Sequence, residues 1–165
     1  MKKILVTVGN DTHPFHRLIE KVDEVSKGFS AEFIVQFGHG GYLPKNIKKA
    51  SEVLEREEFY KKFSEADLVV AHAGIGNMID AVTYKKKMIV VPRQKKFEEH
   101  FNDHQMEIAK EIDGKYNNIK VLYEIDRLGE EIDKMLEKET VFPEPPNLKQ
   151  LGLVKEIKEF IENEK

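Results

Sequence analysis

The stretch LVVAHAGIGNMID, Leu68 to Asp80, decides the fold. Leu68 to His72 is an uninterrupted apolar run closed by a polar residue, the pattern of a strand buried on both faces. Ala73 to Gly76 breaks the chain, and Asn77 to Tyr84 reads as a helix. Strand, glycine turn and helix in succession make one unit of a parallel α/β sheet. The helix start offers N–H groups without intrahelical partners and a positive dipole end, a seat for a diphosphate. His72, Gly74, Ile75, Gly76 and Asn77 make up the turn. Asp80 falls about one turn into the helix, where a carboxylate would accept hydrogen bonds from ribose hydroxyls. The plain alternative is a tight turn with Asp80 complementing the dipole.

The alternation extends to both sides of this unit. Lys3 to Val8, Glu32 to Phe37, Ser51 to Leu54, Met88 to Val91 and Ile119 to Tyr123 read as strands. Between them, Phe15, Leu18, Ile19, Val22 and Val25 fall at helical spacing, closed by Lys27-Gly28. Phe59 to Glu65, Asp103 to Ile112 and Leu128 to Leu136 read as further helices. The expectation is an α/β, Rossmann-like parallel sheet with helices on both faces. Residues 1–165 form a single domain, with a proline-containing linker over 141–147 and a C-terminal helix over 148–163. Leu153, Val154, Ile157, Phe160 and Ile161 would share one face of that last helix.

Composition narrows the function. The 165 residues are 40% hydrophobic and carry Lys+Arg 27 against Asp+Glu 30, a net charge of -3. Bulk charge therefore does not drive the chain to nucleic acid. With no cysteine there is no disulfide, thiolate zinc site or Cys nucleophile. The N-terminal apolar run is too short for a signal peptide, and no uncharged run approaches the ~20 residues that span a bilayer. A soluble, cytoplasmic protein is expected.

Six of the ten glycines, Gly9, Gly38, Gly40, Gly41, Gly74 and Gly76, fall just after a predicted strand. They would gather at the carboxyl edge of the sheet, where open α/β folds bind ligands. A dinucleotide fingerprint fails, because Ile79 stands where a third glycine or alanine belongs and the next strand ends in Pro92-Arg93. A nicotinamide-dependent oxidoreductase is accordingly the lesser reading, alongside a nucleotide-binding module without catalysis. His100 and His104 have the spacing of two zinc ligands on a helix, but Phe101 replaces a metalloprotease glutamate. Asp103, His104 and Gln105 suit polar recognition of a sugar better, Gln105 offering both donor and acceptor.

These strings have a shared resemblance. LVTVGN and HPFHRLIEKVD, VQFGHGGYLPKN, EADLVVAHAGIGNMIDAV, KKMIVVPRQKKFEEHFNDHQ and IKVLYEIDRLGEEI resemble, in order, the glycosyltransferase family 28 C-terminal domain in its free-standing bacterial form. The soluble subunit of the eukaryotic N-acetylglucosaminyltransferase acting on dolichol-linked sugar is similar. The resemblance implies the donor-binding half of a GT-B enzyme, holding a UDP-sugar. Gly9 with Asn10 matches the first phosphate-facing loop, Gly74 and Gly76 the glycines near the nucleotide, Asp80 the ribose-holding acid, and Asp103, His104 and Gln105 the sugar-facing motif. Two departures stand out: Asp80 is one methylene shorter than the usual glutamate, and Asn77 replaces serine or threonine.

A two-component hexosyltransferase of polysaccharide biosynthesis follows as the expectation, active with a membrane-associated partner that binds a lipid-linked saccharide. The chain would sit at the inner face of the membrane through that partner, while a homo-oligomer of the chain alone stays open. With no acidic metal motif in a loop, no obligatory metal or cofactor is expected. Gly38 and Arg93 complete the expected donor contacts, Arg93 as added positive charge. His13 and His39 are the candidates for a general base, which could equally lie on the partner.

Overall fold

The computed structural model describes residues 1–144. Six strands, β1 (Lys2–Thr7), β2 (Ala31–Gln36), β3 (Lys49–Ser51), β4 (Leu68–His72), β5 (Lys87–Val91) and β6 (Ile119–Val121), form one sheet. Every pairing is parallel, in the order β3-β2-β1-β4-β5-β6. Five helices connect or follow them: α1 (His16–Ser26), α2 (Arg56–Glu65), α3 (Ile75–Thr83), α4 (His104–Ile112) and α5 (Leu128–Glu137). The expected Rossmann-like architecture is present. The chain order reverses between β1 and β4, and ligands of open α/β sheets bind beside such a switch point.

Period-two alternation explains the layers. Ile4, Val6 and Val8 face one side with Phe15, Leu18, Ile19 and Val22 of the α1 region and Leu128, Ile132 and Met135 of α5. Leu5 faces the other, with Phe63 of α2, Met78 and Ala81 of α3 and Ala109 of α4. Both sides being covered, the central strands are apolar along their length, and Leu68, Val69, Val70 and Ala71 are all fully buried. A charge at Val70 would be stranded without a partner in this core.

Two boundaries differ from expectation. The third strand begins at Lys49, ahead of the expected Ser51 to Leu54, because Ile34, Val35 and Gln36 pair with Lys49, Ala50 and Ser51. Its ladder trails on through Gly38 N–H to the Glu52 carbonyl, 2.9 Å, while Leu54 turns aside toward α2. Helix α3 starts at Ile75, two residues early, so its free N–H groups are those of Ile75, Gly76 and Asn77. The expected helix over 148–163 and the end of the 141–147 linker lie outside the described residues.

Candidate functional site

At the carboxyl ends of β1, β2 and β4 the sheet carries a buried polar floor. Thr7 donates its hydroxyl to Gln36 Oε1 at 3.1 Å, and Gly9 N–H donates to Thr7 Oγ1 at 3.2 Å. Gln36 Nε2 in turn donates to Asn10 Oδ1 at 3.1 Å, which orients the Asn10 side chain. Thr7 and Gln36 are almost fully buried, so these bonds offset desolvation that would otherwise cost a few kcal/mol.

Above that floor opens a cavity of about 390 Å³. The β1 loop supplies Gly9 and Asn10, and α3 supplies Gly76, Asn77 and Asp80. Leu54 and, from α2, Arg56, Phe59 and Tyr60 form the opposite wall. A Cβ on Gly76 would meet nothing within 4 Å, so the α3 N-terminus faces open space there. Asp80 is half-buried, and burial raises its carboxyl pKa above the usual aspartate value. Among the described residues its carboxylate has no hydrogen-bond or ion-pair partner. An unpaired, partly desolvated acid beside free helix N–H groups is arranged for a ligand that brings both hydroxyls and negative charge.

Several expected residues lie outside this cavity. The His72 ring is tucked beneath the turn: a Cβ on Gly9, whose φ is +73°, would stand 2.6 Å from its Cε1. Burial, with the Arg93 charge nearby, lowers the His72 pKa to about 4, so the ring is neutral near pH 7. Gly38 packs against Val8, its place for a Cβ 2.6 Å from Val8 Cγ2. His39 is exposed and pairs with Glu52 at 3.0 Å. Ile75 and His104 line a separate groove between α3 and α4.

The expectation for Arg93 is corrected. Its guanidinium is fully buried and donates to the carbonyls of Val8 (2.9 Å), His13 (2.7 Å) and Glu99 (2.9 Å), over the Phe15 ring. It ties three loops together and has no reach to a diphosphate. Gln105 is also structural in part. Its Oε1 accepts from Ala73 N–H (3.2 Å) and Arg93 N–H (3.1 Å), leaving the Nε2 group as the donor still to be used. Asp103 accepts from Lys95 N–H at 2.9 Å, bracing the loop before α4. Because α4 begins at His104, His100 is off the helix and the two imidazoles share no helical face.

A second cluster stands beside the β1 loop. His13 Nδ1 and Asp11 Oδ1 are 2.7 Å apart, and His100 Nε2 lies 3.6 Å from Asp11 Oδ2. Burial pulls the Asp11 pKa up, but hydrogen bonds from the His13 backbone and ring and the Arg93 charge outweigh it and hold it below the usual value. Arg56, Tyr60 and Asp11 escaped the sequence reading. Their signal was faint, a lone arginine at a helix start and an acid two residues before a histidine.

Comparison with known proteins gives the family and the fold. The model of the glycosyltransferase family 28 C-terminal domain matches residues 3–162. The chain is 32% identical over 123 residues to UDP-N-acetylglucosamine transferase subunit ALG13 of Mus musculus, covering 68% of this chain and 10% of that protein. The chain thus spans about a tenth of that relative's length. Among solved structures, the calicheamicin glycosyltransferase CalG4 aligns with a TM-score of 0.63 at 16% identity, over 83% of this chain and 35% of that one. The NMR solution structure of ALG13 aligns with a TM-score of 0.55 at 18% identity, over 94% of each chain. The two structural likenesses describe the fold.

Proposed function

The chain belongs to the glycosyltransferase family 28 C-terminal domain family, and from that membership we propose that it is the donor-binding subunit of a two-component, UDP-sugar-dependent glycosyltransferase. The observation that carries the reading is Asp80: an unpaired, half-buried carboxylate on the same cavity as the free end of α3. The diphosphate sits on the N–H groups of Ile75, Gly76 and Asn77 and on the Gly9-Asn10 loop. Asp80 accepts the ribose hydroxyls. Leu54 and Phe59 give the uracil an apolar wall, and Arg56 supplies positive charge from across the cavity. The donor sugar, a hexose-type unit, extends toward Gln105 Nε2.

In the transfer, an acceptor hydroxyl attacks the anomeric carbon as the bond to the diphosphate breaks. Charge builds on the leaving phosphate, where the preorganised N–H groups of α3 stabilise it without a divalent metal. His13 turns its Nδ1 to Asp11, and its Nε2, without a hydrogen-bond partner among the described residues, takes the acceptor's proton. One domain provides one wall of the cleft. The other wall and the lipid-linked saccharide acceptor come from a membrane-associated partner, which holds this subunit at the cytoplasmic face for polysaccharide synthesis. The word subunit in the ALG13 name supports that division.

Calorimetry of the full chain in EDTA tests the reading. UDP and a UDP-sugar should bind, and NADH should not. Heat from NADH with none from UDP would overturn it.

A further inference from the structure

Two rings next to His13 have no part in the donor cavity. Phe101 is 68% exposed, and its ring stacks on His100 with centroids 4.3 Å apart. The His13 ring lies 6.5 Å from Phe101 and 5.8 Å from His100. Asp11 sits against both imidazoles, and only its Oδ1 is hydrogen-bonded, to the His13 backbone and ring. Its Oδ2, 3.6 Å from His100 Nε2, has no hydrogen bond among the described residues. A lone exposed phenylalanine is ordinary on a protein surface. One backed by a stacked ring, with a carboxylate oxygen and an imidazole close by, has the parts that hold a sugar. The electron-rich ring face takes the C–H side of a pyranose, and the polar groups take its hydroxyls.

We propose that this ledge receives the acceptor: Phe101 stacks on the terminal pyranose of a saccharide, and Asp11 Oδ2 accepts a hydrogen bond from one of its hydroxyls. The proposal rests on the transferase reading above and deepens it, since the partner then carries the acceptor's lipid while this subunit holds the sugar being extended. Position supports it. Gly9 and Asn10 line the donor cavity and Asp11 follows them directly, so donor and acceptor share one loop. The ledge is also preorganised. The buried Arg93 guanidinium donates to the carbonyls of His13 (2.7 Å) and Glu99 (2.9 Å), which fixes the two segments that carry the rings against each other. Asn102 braces the turn, its Oδ1 2.9 Å from His100 Nδ1 and accepting from His104 N–H at 3.1 Å. Charge disfavours an anionic lipid surface as the occupant. Lys95 and Lys96 on this loop are matched by Glu98 and Asp103, Arg17 is paired with Glu99, and Asp11 brings a carboxylate to the ledge itself.

The chain has no tryptophan, so Phe101→Trp keeps the aromatic face and makes it a single reporter. The methyl β-glycosides of glucose, galactose and N-acetylglucosamine are titrated into this full-length variant, with excitation where tyrosine is silent. At least one should change the emission saturably with a Kd in the millimolar range, and Asp11→Asn in the same background should weaken it at least threefold. Sorbitol, which has hydroxyls but no ring face, should leave the emission unchanged. No saturable change with any glycoside, an equal change with sorbitol, or unaltered affinity in the Asp11→Asn background would each overturn the proposal. A response to vesicles of phosphatidylethanolamine and phosphatidylglycerol, with none to the glycosides, would give Phe101 to a lipid surface and overturn it as well. Calorimetry separates this outcome from that of the donor reading: Phe101→Ala should bind UDP within twofold of wild type. Tenfold weaker UDP binding in the variant alone would move Phe101 to the donor and overturn the ledge. UDP failing to bind wild type would overturn the donor reading, while the glycoside titration still decides the ledge.

Discussion

The His72 imidazole fills the space that a side chain on Gly74 would need, a Cβ at that position standing 2.5 Å from His72 Nε2. Glycine in the turn is thus required by the ring underneath it. Gly74→Ala should push the ring aside and cost about 1–3 kcal/mol of stability, the usual penalty of overpacking. Pairing it with His72→Ala should recover most of the loss. Urea unfolding of the three variants checks this; a Gly74→Ala chain as stable as wild type would remove the ring from the explanation.

The same ring makes stability depend on pH. His72 has a folded-state pKa of about 4 against an ordinary 6.5, so the unfolded chain binds its proton first. Stability from this residue is intact above pH 6.5 and is lost as pH falls from 6.5 toward 4. The loss should reach at most about 3.5 kcal/mol, at about 1.4 kcal/mol per pKa unit. His72→Gln should flatten the stability profile across that window.

Asp80→Ala should weaken UDP binding by about 1–3 kcal/mol while leaving the melting temperature near wild type, since the carboxylate has no partner among the described residues. Its pKa is raised by burial, so wild-type affinity should fall on acidification starting above the usual aspartate range. The alanine variant should lack that fall. Calorimetric titrations at several pH values separate the two curves.

Gln105 can be divided into its two functions. Gln105→Ala removes the acceptor shared by Ala73 and Arg93 N–H and should cost about 1–3 kcal/mol of stability. Gln105→Glu keeps that acceptor, exchanges the Nε2 donor for a second carboxylate oxygen and adds a negative charge. It should remain folded, lose more affinity for UDP-sugars than for UDP itself, and discriminate less among UDP-sugars. Equal weakening toward UDP and UDP-sugar would return Gln105 to a purely structural role.

Arg93→Lys should destabilise the fold without touching the donor cavity. A single ammonium cannot span carbonyls on three loops, and the loss of about 2–3 kcal/mol would lower Tm by roughly 5–10 °C. Scanning calorimetry, with UDP titration below the transition, reads both effects.

Arg93 also marks the limit of what the amino-acid order reveals. The strand at Leu68–His72 was legible to the residue, because a run buried on both faces announces itself locally. Glycines at strand ends likewise marked the carboxyl edge of the sheet, where Gly9 and Gly76 line the cavity. Arg93, by contrast, meets Val8 and His13 across 85 and 80 residues, and nothing near it in the chain hints at those carbonyls. Arg56 and Tyr60 reach the cavity only because α2 folds over the sheet beside Asp80, a proximity made by tertiary packing. The third strand was misplaced by two residues because an edge strand containing Lys49 lacks the continuous apolar signal of its neighbours.

The sheet order carries a consequence for synthesis on the ribosome. Strand β1 pairs on one side with β2, which follows closely, and on the other with β4, where Ile4 meets Leu68. At about 5–20 residues per second, β4 emerges roughly 3–12 s after β1. Through that interval a nascent chain holding β1, β2 and β3 exposes the open backbone edge of β1, whose Ile4, Leu5 and Val6 are fully buried in the finished fold. The finished sheet ends on two strands of three residues each and has little edge to offer. Aggregation during translation, and any chaperone that prevents it, should therefore act in the window between Thr7 and Leu68.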